Sequence, residues 1–186
     1  RLQRKLTENA VPVARQWQME GAGRRAHVSC GCASVDEYRE WLGRDLDYSA
    51  ETGGSLGARM AVSSVRAFAR GADRVVLVGT DCPDLDAAQI SRAFYSLEHA
   101  DCVIGPTRDG GYYRVGIVTP TPALFAGIPW GTGAVLARTM GIARDEQLRV
   151  AVLPEMAALA GPGDLIHAAP LLEEYPLADE ARVRRR

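Results

Sequence analysis

Two aspartates, each following a short apolar run, are the residues whose type and spacing could support chemistry. Asp81 lies two residues past the run Val75–Gly79, and Asp109 lies four residues past the run Asp101–Gly105. Short apolar runs of this kind are typical of buried strands in an α/β sheet. Ligands of such sheets gather at the carboxyl ends of the strands, so we expect both carboxylates to face one crevice.

A divalent cation is one explanation for two converging carboxylates, because they repel each other unless a cation or a proton is shared between them. Mg²⁺ and Mn²⁺ prefer carboxylate oxygens and accept further oxygens from a diphosphate and from water. Such a metal would neutralise phosphate charge in a transfer reaction. The residues alone leave two other interpretations open, a turn or helix cap at Asp81 and an Asp-Gly hairpin turn at Asp109.

The neighbours of the two aspartates fit a ligand site. Gly110 and Gly111 place no side chain where a ligand or another backbone must approach closely. Pro83 stiffens the turn that carries Asp81, whereas we expect Asp84 to cap the following helix. The candidate substrate-binding residues beside the aspartates are therefore Thr80, Pro83, Gly110, Gly111 and Tyr112.

The elements that must position these residues alternate between helices and strands. Helices are predicted over Leu6–Met19, Asp86–Leu97 and Thr132–Ala143. Another runs from the capping box at Ser34 to Leu42, and one follows the Gly-rich loop within Glu51–Met60 and ends at about Arg70. Strands are predicted over Arg25–Cys30, Val75–Gly79, Asp101–Gly105, Tyr112–Val118 and Val150–Leu153. This order predicts an α/β fold with a mostly parallel central sheet flanked by helices, with Val75–Gly79 at its centre.

Composition narrows the classes of protein. The 186 residues, 47% of them hydrophobic, suit one domain, which we place at residues 1–170 with a tail at 171–186. The 22 basic and 23 acidic residues nearly balance, so net charge gives no reason to expect nucleic acid as a partner. The four cysteines lack zinc-like spacing, which favours free thiols in a cytoplasmic protein. No apolar run reaches the roughly 18 residues of a membrane span.

Three segments in the same order resemble one known family. They are Val-Gly-Thr-Asp-Cys-Pro-Asp-Leu (78–85), Ile-Gly-Pro-Thr-Arg-Asp-Gly-Gly-Tyr-Tyr-Arg-Val-Gly (104–116) and Leu-Phe-Ala-Gly-Ile-Pro-Trp-Gly-Thr (124–132). They resemble the radical-SAM/selenodomain-associated glycosyltransferase-like family of the nucleotide-diphospho-sugar transferase superfamily. The resemblance implies a Rossmann-like, GT-A type fold, a nucleotide-sugar or nucleotide substrate, an acceptor of unknown identity and a divalent metal, Mg²⁺ or Mn²⁺.

The resemblance also implies roles for individual residues. Asp81 would take the position of the superfamily's metal-binding aspartate, and Asp109 would face the same pocket. Trp130 and Thr132 match a segment expected on the acceptor side of the cleft, although Trp130 could equally be an aromatic residue covering the core. Gly57 and Arg59 match a Gly-rich loop before a helix. Arg59 is then either a diphosphate partner or a surface arginine of that helix.

The chain departs from the family pattern at three places. Ser55 replaces an aspartate of the Gly-rich loop, and the segment 158–165 keeps only Asp164 of a late acidic motif. We also find no first strand followed by a basic phosphate-binding loop, and expect it either to precede Arg1 or to be lost. The predicted function is a glycosyltransferase, with a nucleotidyltransferase of the same fold or a non-catalytic nucleotide-binding relative as alternatives.

Overall fold

Helices and strands alternate along residues 2–31 and 34–157, which are the residues that the computed structural model describes. Cys32, the late segment 158–165 and the tail 171–186 lie outside them. The helices are α1 (Leu2–Met19), α2 (Val35–Leu42), α3 (Leu56–Ala69), α4 (Ala87–Ser96) and α5 (Val135–Asp145), with a 3₁₀ turn at Pro122–Phe125. The strands are β1 (His27–Cys30), β2 (Asp47–Ala50), β3 (Val75–Val78), β4 (Cys102–Pro106), β5 (Tyr112–Ile117) and β6 (Val150–Val152).

The strands form two sheets. β1 and β2 pair in parallel, and the larger sheet has the order β3-β5-β4-β6. β5 runs antiparallel to both β3 and β4, whereas β4 and β6 are parallel. The α/β prediction is confirmed, but the prediction of a mostly parallel sheet was wrong. Only the five residues 107–111 join β4 to β5, too few for a crossover, so β5 must return antiparallel.

The position of β3 also differs from the prediction. β5 lies between β3 and β4, so β3 is at the edge of the four-stranded sheet and not at its centre. Within the described part of the chain, no strand pairs with the outer edge of β3. An apolar run identifies a strand but does not order the strands, because order depends on the connections.

Helix caps follow local sequence, with one correction. Ser34 caps α2 in a capping box with Glu37, as predicted. α4 is capped by Asp86 and not by Asp84. The Gln89 amide donates to Asp86 Oδ1 at 2.6 Å, and Gln89 Oε1 accepts from the Asp86 amide at 3.2 Å. Asp86 immediately precedes the helix, which is the position that capping requires, whereas Asp84 is exposed in the preceding turn.

Helices cover both faces of the larger sheet. α3, α5 and the 3₁₀ turn pack on one face, through residues such as Phe68, Phe125 and Ile142. α4 packs on the other face, through Ile90 and Ala93. α1 contributes to two clusters, because Val11 packs with buried residues of β1, β2 and α2, and Trp17 packs with residues of α4 and of the loop before it. α1 therefore joins the smaller sheet to the larger one.

The helices do not include a candidate membrane span. Over residues 2–31 and 34–157, none combines the length and the apolar character needed to cross a bilayer.

Candidate functional site

Asp81 lies in the loop between β3 and α4, and α1 holds this loop in place. The Gln3 side-chain amide donates to Thr80 Oγ1 at 2.8 Å and to Asp81 Oδ1 at 3.0 Å. Asn9 donates to the Pro83 carbonyl at 3.0 Å. Asp81 is exposed, and its second oxygen, Oδ2, has no hydrogen-bond partner in the described chain. One carboxylate oxygen is thus oriented and the other is available to a ligand.

Asp109 lies in the hairpin loop between β4 and β5. The Thr107 amide donates to the Gly111 carbonyl at 3.0 Å, which closes the loop. Asp109 Oδ1 accepts from the Thr107 hydroxyl and, at 3.2 Å, from the Gly111 amide. The hairpin interpretation of Asp-Gly therefore describes this loop correctly. It does not exclude a ligand, since Asp109 is exposed and its Oδ2 has no partner among the residues described.

Gly110 is required by the backbone of this loop. Its φ is +83°, and a Cβ there would lie 2.8 Å from the carbonyl carbon of Gly133. The Leu136 amide also donates to the Gly110 carbonyl at 2.8 Å. Close backbone packing explains this glycine without a ligand, and it places the Asp109 loop directly against the segment that precedes α5.

The two aspartates lie at the same edge of the sheet. Val78 of β3 and Gly105 of β4 both pair with Arg114 of β5. Two strand spacings of about 4.8 Å each separate these strand ends by about 10 Å. The loops that carry the two aspartates therefore begin about 10 Å apart at the same edge of the sheet.

The charges at this edge act on a buried thiol. Burial, and to a smaller extent the carboxylates of Asp81, Asp84 and Asp109, raise the pKa of Cys82 to about 12, while Arg114 acts in the opposite direction. All three carboxylates therefore lie within electrostatic reach of one sulfur atom. This is a second sign that the Asp81 and Asp109 loops are close together.

A divalent cation fits these donors only in part. Across the residues that the structure describes, no three His, Cys, Asp or Glu side chains are grouped closely enough to hold a metal ion. Two carboxylate oxygens without partners, Oδ2 of Asp81 and Oδ2 of Asp109, remain available. Mg²⁺ is commonly held by one or two carboxylates with water and substrate phosphates, so this donor set fits a metal whose remaining ligands are water or phosphate oxygens.

Trp130 and Tyr112 form the aromatic part of the site. Their rings meet edge to face, with centroids 5.9 Å apart. A Cβ on Gly57 would lie 2.7 Å from Trp130 Nε1 and would also clash with the Phe125 carbonyl. Gly57 is therefore buried because α3 begins directly against this aromatic residue. Trp130 itself is half-buried, so part of its ring borders solvent.

Thr132 shapes the segment that leads into α5. Its hydroxyl donates to the Pro129 carbonyl at 2.8 Å and accepts from the Ala134 amide at 3.3 Å. Thr132 is exposed and precedes Gly133, the residue that contacts the Asp109 loop. The structure thus brings Thr132 next to the segment that contacts the Asp109 loop, whereas the contacts of Trp130 are with Tyr112 and Gly57.

Arg59 has a partner away from the aspartates. Its Nη1 lies 3.2 Å from Glu51 Oε2, and its Nε is buried without a hydrogen-bond partner. No hydrogen bond or ion pair joins Arg59 to Asp81 or Asp109 in the described chain. The role of Arg59 as a diphosphate partner therefore remains a prediction.

Ser55, which replaces an aspartate of the family pattern, caps α3. Its hydroxyl accepts from the Ala58 amide at 3.2 Å.

Arg114 was not singled out from the sequence. This arginine is 1% exposed and lies in β5 between the ends of β3 and β4. It donates to the Gln89 carbonyl and, at 3.3 Å, to Gln89 Oε1. The signal was an arginine inside the apolar run Tyr-Tyr-Arg-Val-Gly-Ile, where the strand pattern requires burial.

Comparisons with known proteins agree with this fold. The model of the family described as "Uncharacterized protein conserved in bacteria (DUF2064)" matches residues 14–132. The comparison with curated proteins found no match. A crystal structure described as a "putative nucleotide-diphospho-sugar transferase" from Desulfovibrio desulfuricans G20 has a TM-score of 0.78 at 26% identity, over 94% of this chain and 84% of that one.

Two further structures resemble the chain in fold. Rv0371c of Mycobacterium tuberculosis H37Rv, solved in complex with manganese, has a TM-score of 0.57 at 15% identity, over 88% of this chain and 86% of that one. The bifunctional IspDF of Campylobacter jejuni has a TM-score of 0.57 at 9% identity, over 89% of this chain and 45% of that one. The nucleotide-diphospho-sugar transferase fold is therefore confirmed, whereas these comparisons do not address the radical-SAM/selenodomain association.

Proposed function

The chain belongs to the DUF2064 family, and from this premise we propose that it is a metal-dependent nucleotide-diphospho-sugar transferase. The reaction would transfer a sugar from a nucleotide-sugar to an acceptor hydroxyl, with the nucleoside diphosphate leaving. The observation that carries the proposal is the pair of exposed aspartates at one sheet edge, each with a free carboxylate oxygen. The similarity over 94% of the chain to the Desulfovibrio protein supports the substrate class.

Asp81 and Asp109 are the residues that would hold Mg²⁺ or Mn²⁺, through their Oδ2 atoms. When bound, the metal supplies positive charge that neutralises the departing diphosphate. Gln3 and Thr80 orient the Asp81 carboxylate, and Thr107 and the Gly111 amide orient that of Asp109. These hydrogen bonds hold both side chains before substrate arrives, which lowers the entropy cost of binding.

The aromatic side of the site is where we place the acceptor. Trp130 offers a partly exposed ring, and Thr132 lies next to the segment that packs on the Asp109 loop. An aromatic face suits the apolar face of a sugar or an acceptor, while its Nε1 provides a hydrogen-bond donor.

A thermal-shift panel tests the proposal. UDP-, GDP-, ADP-, CDP- and dTDP-linked sugars and the nucleoside triphosphates are added with and without Mn²⁺. Ligand at one hundred times its Kd stabilises the folded state by about 2.7 kcal/mol, which raises Tm by about 5 °C or more. We expect a nucleotide-sugar to raise Tm further than Mn²⁺ does by itself, and only when Mn²⁺ is present. A larger shift with a triphosphate would favour nucleotidyl transfer instead.

Matched variants identify the metal ligands. Asp81→Asn and Asp109→Asn should abolish the Mn²⁺-dependent shift, since each removes a carboxylate charge with little change in shape. Asp84→Asn is the control, because Asp84 is an exposed aspartate of the same loop to which we assign no metal. A metal-dependent shift that survives both Asp81→Asn and Asp109→Asn would contradict the proposal. Binding without release of sugar to any acceptor would indicate a non-catalytic relative.

A further inference from the structure

Arg114 is a buried cation without an ion pair. Its side chain is 1% exposed, and no carboxylate in the described chain lies within salt-bridge distance of it. Burial lowers the pKa of Arg114, while Tyr113, Cys82 and Asp86 act in the opposite direction. A buried charge without a paired partner is costly to a fold. The hydrogen bonds that offset this cost therefore indicate what the side chain holds in place.

Its backbone lies between the two loops of the candidate site. Arg114 pairs with Val78, the last residue of β3, and with Gly105, near the end of β4. The β4–β5 register shifts between Gly105 and Pro106, and the guanidinium carbon of Arg114 lies 4.4 Å from the centroid of the Tyr113 ring. The arginine is thus anchored in the strand that follows the Asp109 hairpin.

Its side chain reaches the helix that follows the Asp81 loop. The two terminal nitrogens donate to the carbonyl and to the side-chain Oε1 of Gln89. The same Oε1 accepts from the Asp86 amide at 3.2 Å, and Asp86 accepts in return from the Gln89 amide. Arg114 therefore binds the capping box at the first turn of α4. The Asp81 loop is then fixed by β3 at one end and by this turn at the other.

We propose that Arg114 is a positioning residue that sets the separation of Asp81 and Asp109 for a divalent cation. The proposal rests on the proposed function, since it assigns a role to a residue that supports the same metal site. Arg114 joins the strand beside Asp109 to the helix turn beyond Asp81, and so links the two loops. The planar guanidinium fork presents one terminal nitrogen to each oxygen of Gln89. Lysine would keep the charge but lose this geometry.

A purely structural role is the competing explanation, and Arg74 provides its control. Arg74 precedes β3 and donates to the Phe94 carbonyl of α4 at 3.0 Å, with Glu98 3.4 Å away. It therefore ties the same helix to the same sheet at the far end from the aspartates. Its removal should reduce stability without changing the metal site.

Mn²⁺ alone is the probe, with free Mn²⁺ measured by electron paramagnetic resonance and Tm measured without metal. We expect Arg114→Lys and Arg114→Met to weaken Mn²⁺ binding about tenfold, the lower end of the loss seen when residues that support metal ligands are removed. Arg74→Met should lower Tm and leave the Mn²⁺ Kd within about twofold of the parent value. Combining Arg114→Lys with Asp81→Asn should add no further loss beyond Asp81→Asn alone.

The outcomes separate the two proposals. Unchanged Mn²⁺ affinity in both Arg114 variants, with binding still lost in Asp81→Asn, would overturn only the positioning role. Full recovery of affinity in Arg114→Lys would also overturn it, because charge alone would then suffice. Absence of Mn²⁺ binding to the parent protein, or binding that Asp81→Asn leaves intact, would overturn the metal site and the positioning role together. If Arg114→Met fails to fold, Arg114→Lys decides the question.

Discussion

In the Asp109 loop, the backbone turn and the orientation of the carboxylate depend on each other. Asp109 can present one free oxygen because Thr107 and the Gly111 amide occupy the other, and this arrangement needs the tight turn that Gly110 permits. The turn and the candidate ligand are thus one local structure. The sequence suggested either a hairpin turn or a metal ligand at Asp109, and the same loop is compatible with both.

Gly110→Ala tests this requirement. The residue adopts a φ of +83°, and a methyl group there would clash with the Gly133 carbonyl. We expect a loss of about 2 kcal/mol or more in unfolding free energy, from the left-handed backbone and the clash together. Gly127→Ala is the control, because Gly127 has a φ of +64° but no atom within 4 Å of the added carbon. Chemical denaturation measures both, and equal losses would refute the role of the clash.

At the scale of elements, the sequence predicted the features that depend on a few adjacent residues. The capping box at Ser34 and the strands β3, β4 and β5 are confirmed, because caps and apolar runs act within a few residues. β2 was not predicted, since Asp-Tyr-Ser-Ala contains no apolar run. The predicted central position of β3 was wrong, and Arg114 was not singled out. Both strand order and the burial of Arg114 depend on which distant strands become neighbours. The site aspartates were visible because each follows its own strand.

An ion pair between Asp101 and Arg149, the residues directly before β4 and β6, joins the starts of these two paired strands. Arg149 donates to Asp101 Oδ1 and Oδ2 at 2.8 Å, and its amide donates to Oδ2 at 2.9 Å. These side-chain and backbone hydrogen bonds lower the pKa of Asp101 from 3.8 to about 2. A lowered carboxyl pKa contributes stability above pH 4 that is lost as pH falls towards 2.

Asp101→Asn should therefore lower Tm at pH 7, and the difference from the parent protein should shrink steadily between pH 4 and about pH 2. Asp73→Asn is the control, since Asp73 is exposed and makes no hydrogen bond or ion pair within the described chain. Thermal melts followed by circular dichroism over this pH range measure the difference. A difference in Tm that does not depend on pH would refute the linkage.

At the scale of the whole molecule, α1 holds the two sheets and the site together. Val11 packs in the cluster of the smaller sheet, and Trp17 packs in the cluster of α4 and the Asp81 loop. Gln3 and Asn9 of the same helix bind that loop directly. Packing of α1 and orientation of Asp81 are therefore coupled.

Trp17→Ala tests this coupling. Trp17 is 7% exposed and stacks on Phe94 with centroids 4.6 Å apart, so its removal leaves a cavity. We expect a loss of about 3–5 kcal/mol in unfolding free energy by urea titration. Met19→Ala, on the same helix but 86% exposed, should change stability by no more than about 0.5 kcal/mol. A loss in Trp17→Ala no larger than that in Met19→Ala would show that α1 is not part of the core.

The edge position of β3 has a consequence for handling the protein. Its four residues, Val-Val-Leu-Val, include no lysine or proline, with which proteins commonly protect an exposed strand edge. Three of the four are only partly buried. Among residues 2–31 and 34–157 no strand pairs with its outer side, whose backbone groups can therefore pair with an extended peptide, including a second β3. We expect aggregation in concentrated solution to begin at this strand, and a single lysine placed on that edge to delay it.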